Sequence, residues 1–157
     1  MSTERPRCYV ASPLGFTEAG RRYLADALLP ALEAVVEPVD PWLLAGPEEF
    51  AAAADAGVQA QRALALDVGR RNADAIRSCA LLAAYLEGQE PDSGTVVEVG
   101  YACGIGIPCV GLRSDLRQAG EPGVALNLQV ESLIVAGGGE IVGSLEALVA
   151  ALGRRVG

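Results

Sequence analysis

The chain has 157 residues, 51% of them apolar and 20% charged, with a formal net charge of −8, which points to one acidic globular domain over 1–157 and excludes a disordered chain. All 12 basic residues are arginine, with no lysine and no histidine. Schiff-base and pyridoxal-lysine chemistry, a P-loop lysine, histidine general bases and histidine metal ligands are therefore excluded. Acid–base chemistry falls to Asp, Glu, Tyr or Cys, and the acidic balance argues against a nucleic-acid polymer as partner, which needs a clustered basic surface.

Cys8, Cys79, Cys103 and Cys109 show no C-x-x-C spacing, and the last three sit in apolar segments. They are expected to be buried thiols in a reducing cytoplasm. Met1 to Arg7 is polar and lacks the apolar stretch of a signal peptide. The longest unbroken apolar run, Ala80 to Leu86, is far short of the roughly 20 residues of a membrane helix. The expectation is a soluble cytoplasmic protein that uses no membrane.

Cys8 to Ala11 reads as a buried strand closed by the loop Ser12-Pro13-Leu14-Gly15. Thr17 can cap a helix running from Glu18 to about Val36, where Tyr23, Leu24, Ala27, Leu28, Ala31, Leu32 and Val35 recur at helical spacing. Pro30 inside it predicts a kink or an early end. Val35 to Val39 reads as a weak second strand. From Asp40-Pro41-Trp42 to about Gly57 an irregular stretch, longer than an ordinary connection, reads as a functional loop or lid. Gln59 to Cys79 is a helical pattern bearing Arg62, Asp67, Arg70, Arg71, Asn72, Asp74 and Arg77, and Ala80 to Leu86 is a central strand buried on both faces.

The polar turn Glu87 to Gly94 leads into a helix from Thr95 to about Ile105, followed by a strand from Pro108 to Leu112. Arg113 to Val124 is a polar loop in which Asp115 and Arg117 either touch a ligand or, as the safer expectation, only brace the loop. Leu126 to Ala136 reads as a helix stopped by Gly137-Gly138-Gly139, Glu140 to Val142 as the last strand, and Ser144 to Leu152 as the closing helix. Strands alternating with helices imply an α/β sheet of mostly parallel strands. Ligands of such sheets sit beyond the carboxyl ends of the strands, which selects the loops after Ala11, Leu86 and Leu112. Ser12 and Gly94 thereby become candidate substrate contacts.

The helix after Gly94 is apolar nearly all round, through Val96, Val97, Val99, Tyr101, Ala102, Cys103 and Ile105, and is expected to be buried. Its one carboxylate, Glu98, must be partly desolvated or held by specific hydrogen bonds, because an unpaired buried carboxylate costs several kcal/mol. Asp92 lies six residues earlier. Six helical steps amount to about 240°, so the two side chains converge only if Asp92 sits in the loop ahead of the helix and turns back over its first turn. Two carboxyl groups in a concave site suit substitution at an anomeric carbon, one attacking the sugar and the other handling the leaving group's proton. The bland alternatives are a capping Asp92, a Glu98 paired with an arginine, and a Tyr9 that only packs the core.

Tyr9-Val10-Ala11-Ser12-Pro13-Leu14, Arg70-Arg71-Asn72-Ala73-Asp74-Ala75-Ile76, Asp92-Ser93-Gly94-Thr95-Val96-Val97-Glu98-Val99-Gly100-Tyr101-Ala102 and Asn127-Leu128 together resemble the nucleoside 2-deoxyribosyltransferase family. The resemblance implies a flavodoxin-like, doubly wound sheet of about five parallel strands with helices on both faces. It further implies a homo-oligomer whose neighbouring subunits complete each site, no metal or cofactor, and 2′-deoxyribonucleosides and free nucleobases as small-molecule partners. The implied reaction moves 2-deoxyribose between bases with retention, through a covalent deoxyribosyl-glutamate. By the same resemblance Glu98 matches the nucleophile, Asp92 the carboxylate that binds and protonates the base, and Tyr9 a residue orienting the nucleophile. Asn127 matches a residue donated to the sugar hydroxyl by the adjacent subunit. Asn72 stands where some members have an Asp that touches the base, Gln129 where some have a Met near the sugar, and Ala80 where an Asp often precedes the central strand. Two rivals keep this fold. One is an N-glycoside hydrolase of deoxynucleoside 5′-monophosphates, for which Ser12 to Phe16 offers no basic residue although Arg21 and Arg22 follow. The other is a non-catalytic nucleoside or nucleotide sensor.

Overall fold

The computed structural model describes residues 5–156, so the start of the polar N-terminal stretch, Met1 to Glu4, lies outside the described residues. Five short segments become strands: β1 (Arg7–Ala11), β2 (Glu37–Val39), β3 (Leu81–Tyr85), β4 (Cys109–Leu112) and β5 (Glu140–Val142). They form one sheet in the order β2-β1-β3-β4-β5 with every neighbouring pair parallel. This is the flavodoxin-like order. The chain leaves β1 towards one edge to form β2 and returns to the other side to form β3, so the connections diverge at the carboxyl ends of β1 and β3 and open a crevice there.

Helices α1 (Glu18–Tyr23) and α2 (Leu29–Leu32) are joined by a π-helical turn at Leu24–Leu28. Pro30 has no amide to give the preceding turn, and the wider turn ahead of it absorbs that loss. The predicted helix to Val36 accordingly ends at Leu32. The stretch from Asp40 to Gly57, read from sequence as irregular, is a correction. A 3-10 turn at Pro41–Leu43 is followed by α3 (Pro47–Ala56). Pro47 at the first helical position, the Glu49 carboxylate accepting the Gly46 N–H at 3.0 Å, and the alanines 51–54 all favour helix. Gly57, at φ +95°, then allows the chain to turn directly into α4 (Val58–Arg77). The remaining helices are α5 (Ser93–Gly104), α6 (Leu128–Ala136) and α7 (Leu145–Val156). None of the described helices is long and apolar enough to cross a membrane.

Alternation along the strands divides the core. Cys8, Val10, Leu81, Ala83, Val110 and Leu112 face α1, α2 and α7, meeting Leu24, Leu28, Leu32, Leu148 and Leu152. Tyr9, Ala11, Leu82, Ala84 and Cys109 face the other way, towards Ile76 of α4, Val99 and Ala102 of α5, and Val130 and Ile134 of α6. Helix α5 is a second correction. Thr95, Val99 and Ala102 are buried, but Val97 is 69% exposed. An apolar composition all round the helix does not bury its outer face within one chain. The four cysteines are free thiols, with Cys103 half-buried and its Sγ 3.5 Å from that of Cys109.

Candidate active site

Tyr9 sits in the middle of β1 and is fully excluded from solvent. Its hydroxyl crosses to α5 and donates to Glu98 Oε1 at 2.6 Å. Asn72, on the face of α4 turned to α5, donates from Nδ2 to the same oxygen at 3.4 Å. Glu98 Oε2 has no partner among the described residues, and none of their arginines pairs with this carboxylate. Burial raises the Glu98 pKa, the charge of Asp92 raises it further, and the bonds from Tyr9 and Asn72 pull it back in part, leaving it above the usual glutamate range. Burial above all, then the Glu98 charge, raises the Tyr9 pKa well out of reach, so its hydroxyl stays a donor.

Asp92 occupies the loop position expected of it, as N-cap of α5. Its Oδ2 accepts from Thr95 N at 2.9 Å and from Thr95 Oγ1 at 3.2 Å. The capping reading and the site reading therefore hold together, because Asp92 also borders a cavity with Glu98, Asn72, Gly94 and Ser12. That cavity measures about 390 Å³, within the range of small-molecule sites. It lies at the carboxyl ends of β1 and β3. Ser12 Oγ and Asn72 Oδ1 are buried there without a protein hydrogen bond, an arrangement that calls for a partner. Tyr9 stands behind Glu98 and does not line the cavity.

Sequence reasoning missed most of the opposite wall. Trp42 and Phe16 meet edge to face at 4.6 Å between ring centres, with Phe50 of α3 and Val68 of α4 alongside. The Trp42 indole N–H donates to Ser12 O at 3.2 Å, and its backbone N–H is capped by Asp40 at 3.0 Å. A side chain at Gly15 would strike the indole ring at 2.1 Å, so glycine there is what lets Trp42 close over the loop. Arg71 pins this wall to α4. It pairs with Glu49 at 2.7 Å and Asp67 at 2.7 Å and donates to Leu44 O at 2.9 Å. The available signal was the single tryptophan in a stretch already marked as a possible lid. Among the described residues no cluster of three metal-ligating side chains forms.

Asn127 and Gln129 are not brought to the cavity of their own chain. Asn127 is the exposed N-cap of α6, its side chain accepting from Gln129 N at 3.0 Å. Asp115 and Arg117 pair with each other. The loop they occupy is tied to β3 by Arg113, buried at 6% exposure, which donates to Leu86 O at 2.8 Å and Gly88 O at 2.7 Å. These residues brace a loop.

A carboxylate with one oxygen fixed and the other free, on the wall of a cavity that a second carboxyl group also borders, is equipped for nucleophilic attack with protonation of a leaving group. Comparison with solved structures supports the fold. The chain is similar to a conserved protein from Enterococcus faecalis V583 at 28% identity, covering 96% of this chain and 99% of that one with a TM-score of 0.73. A 2-desoxiribosyltransferase from Leishmania mexicana shares the fold at 23% identity, with 95% and 97% of the two chains covered and a TM-score of 0.68. A CMP N-glycosidase from Clostridium botulinum shares it at 17% identity, with 95% and 98% covered and a TM-score of 0.56. No curated protein matches. The profile of one family spans residues 8–139, taking in β1, the Asn72 face of α4 and the whole Asp92-to-Glu98 segment, and the chain accordingly belongs to the nucleoside 2-deoxyribosyltransferase family.

Proposed function

We propose that this protein moves 2-deoxyribose from one nucleobase to another by two successive displacements at C1′. The observation that carries the proposal is the Glu98 carboxylate, fixed through Oε1 by Tyr9 at 2.6 Å and free at Oε2, on the wall of a cavity it shares with Asp92. Glu98 attacks C1′ of a bound 2′-deoxyribonucleoside. The C1′–N bond breaks, its electron pair stays with the base, and a ring nitrogen takes the proton held by Asp92. The deoxyribosyl ester on Glu98 is then attacked by a second base along the reverse path, so two inversions give retention. Trp42, Phe16 and Phe50 supply apolar and aromatic surface for the base, and Asn72 and Ser12 supply polar atoms that lack a protein partner.

The cavity favours an uncharged nucleoside over a 5′-monophosphate. Its lining among the described residues includes two carboxylates and no arginine, whereas a phosphate wants a cation or converging amides. Asn127 and Gln129 reach a substrate only from a second copy of the chain. The exposed apolar side chains Leu128, Leu133 and Val135 on α6 and Val97 on α5 support such pairing.

Incubating the protein with each 2′-deoxynucleoside, with and without an acceptor base, and repeating with the 5′-monophosphates, tests the reading. The expected result is a new deoxynucleoside only when acceptor is present. Release of free sugar or sugar phosphate regardless of acceptor would mean a hydrolase. Saturable binding with no turnover over hours would mean a sensor. For the second copy, mixing inactive Glu98→Ala and Asn127→Ala chains should restore activity in the mixed oligomer, and no recovery would mean that each chain works alone.

A further inference from the structure

Asp92 is held more firmly than a helix cap requires. An N-cap carboxylate is satisfied by a backbone N–H two or three residues on, and Thr95 N supplies one at 2.9 Å. Thr95 Oγ1 adds a second donor to the same oxygen, Oδ2, at 3.2 Å, although Thr95 is only 2% exposed. A buried hydroxyl lowers stability unless it is hydrogen-bonded. This one is bonded to the carboxylate. Gly94 approaches the same atom, since a Cβ there would stand 3.1 Å from Asp92 Oδ2. Oδ2 is thus enclosed by two donors and a bare Cα, while Oδ1 accepts from no described residue.

We propose that Thr95 is a positioning residue that decides which oxygen of Asp92 holds the transferable proton. The inference rests on the proposed role of Asp92 as proton donor to the departing base. A proton on Oδ2 would point at the Thr95 N–H and deprive the buried hydroxyl of its acceptor. In the acid form the proton therefore sits on Oδ1, the oxygen left for the ligand. As C1′ passes to Glu98, the C1′–N electron pair moves onto the base, the base nitrogen takes the Oδ1 proton, and the two Thr95 donors hold the carboxylate that remains.

Thr95→Val keeps the backbone N–H and removes only the second donor. Ordinary 2′-deoxynucleosides need a proton on the departing base, whereas 7-methyl-2′-deoxyguanosine carries an already cationic base that leaves neutral. Complete loss of a general acid costs about 10²–10⁴-fold. Thr95→Val should lose part of that, roughly 10–100-fold in kcat on ordinary deoxynucleosides, with KM little changed and turnover of the methylated substrate retained. Thr95→Ser should restore kcat, and Thr95→Ala serves in the same assay if the valine variant does not fold. Undiminished kcat on ordinary substrates, or an equal loss on both substrate types, overturns the proposal. Asp92→Asn separates it from the reading beneath it. If that variant transfers ordinary deoxynucleosides at the normal rate, Asp92 is not the acid and both ideas fall. If it is inactive on them while Thr95→Val is normal, only the role of Thr95 falls.

Discussion

Tyr9 and Val10 are neighbours in β1, both shielded from water, and they leave the sheet in opposite directions. Val10 enters a layer closed mainly by aliphatic side chains of the π-helical turn, α2 and α7, with Tyr23 of α1 and Tyr85 of β3 at its edge. Tyr9 enters a layer of the same construction, from β strands and the helices α4, α5 and α6, with one difference: its hydroxyl ends on a carboxylate. The first face needs only volume and hydrophobicity. The second accepts a half-buried negative charge, two polar atoms without a protein partner and a cavity at its rim. Stability resides in both faces, and the groups equipped for chemistry gather on one.

Removing the charge itself should have the largest effect. Glu98→Ala is expected to reduce base exchange by about 10⁴-fold or more, the order seen when a covalent nucleophile is deleted, with a near-normal unfolding midpoint. Chromatographic assay of product against acceptor base checks this, and near-normal exchange ends the assignment. The opposite face should show the converse. Leu152 of α7 is fully buried, so Leu152→Ala should lower stability by about 2–5 kcal/mol through lost burial and a cavity, read by denaturant titration. Its kcat, measured below the unfolding transition, should stay within a factor of two or so of wild type. A large kcat loss in the folded variant would mean that the two faces are coupled.

Tyr9→Phe is the intermediate case, because the ring stays in the core and only the donor to Glu98 is lost. A hydrogen bond to a charged group is worth about 1.5–3 kcal/mol, so kcat should fall roughly 10–100-fold. Since the Tyr9 bond lowers the Glu98 pKa, its loss should also move the acid limb of the pH–rate profile upward. A profile that does not move would assign Tyr9 to packing alone.

The sheet was legible because β1, β3 and β4 are short, largely apolar runs bounded by turn residues, and the β5 bounds agree at both ends, whereas β2, Glu-Pro-Val, was only a weak signal. Glu98 and Asp92 were legible for a different reason: a carboxylate in an apolar helix and an aspartate at its cap are local oddities that need no knowledge of tertiary structure. The wall formed by Trp42, Phe16 and Phe50 was not, because those residues meet only after α3 and α4 fold against one another through Arg71, a contact between positions far apart in the chain. The outer face of α5 was misread for a related reason. Hydrophobicity reports that a surface will be covered, and Val97 is not covered by its own chain.

The comparison also bears on stability as a function of pH, where the expected effect is smallest. Glu98 has its pKa raised by burial and by Asp92, so the folded protein holds this proton to higher pH than the unfolded chain does. The stabilising contribution is complete below the ordinary glutamate range, about pH 4, and is lost as pH rises through the raised value of the folded state. At neutral pH the ionised carboxylate weakens the fold that it makes useful. Glu98→Gln should therefore have a higher Tm than wild type at pH 7, and the gap should close on acidification. A Glu98→Gln variant less stable than wild type at pH 7 would mean that the bonds from Tyr9 and Asn72 outweigh burial, and that this face of the sheet bears no cost for its charge.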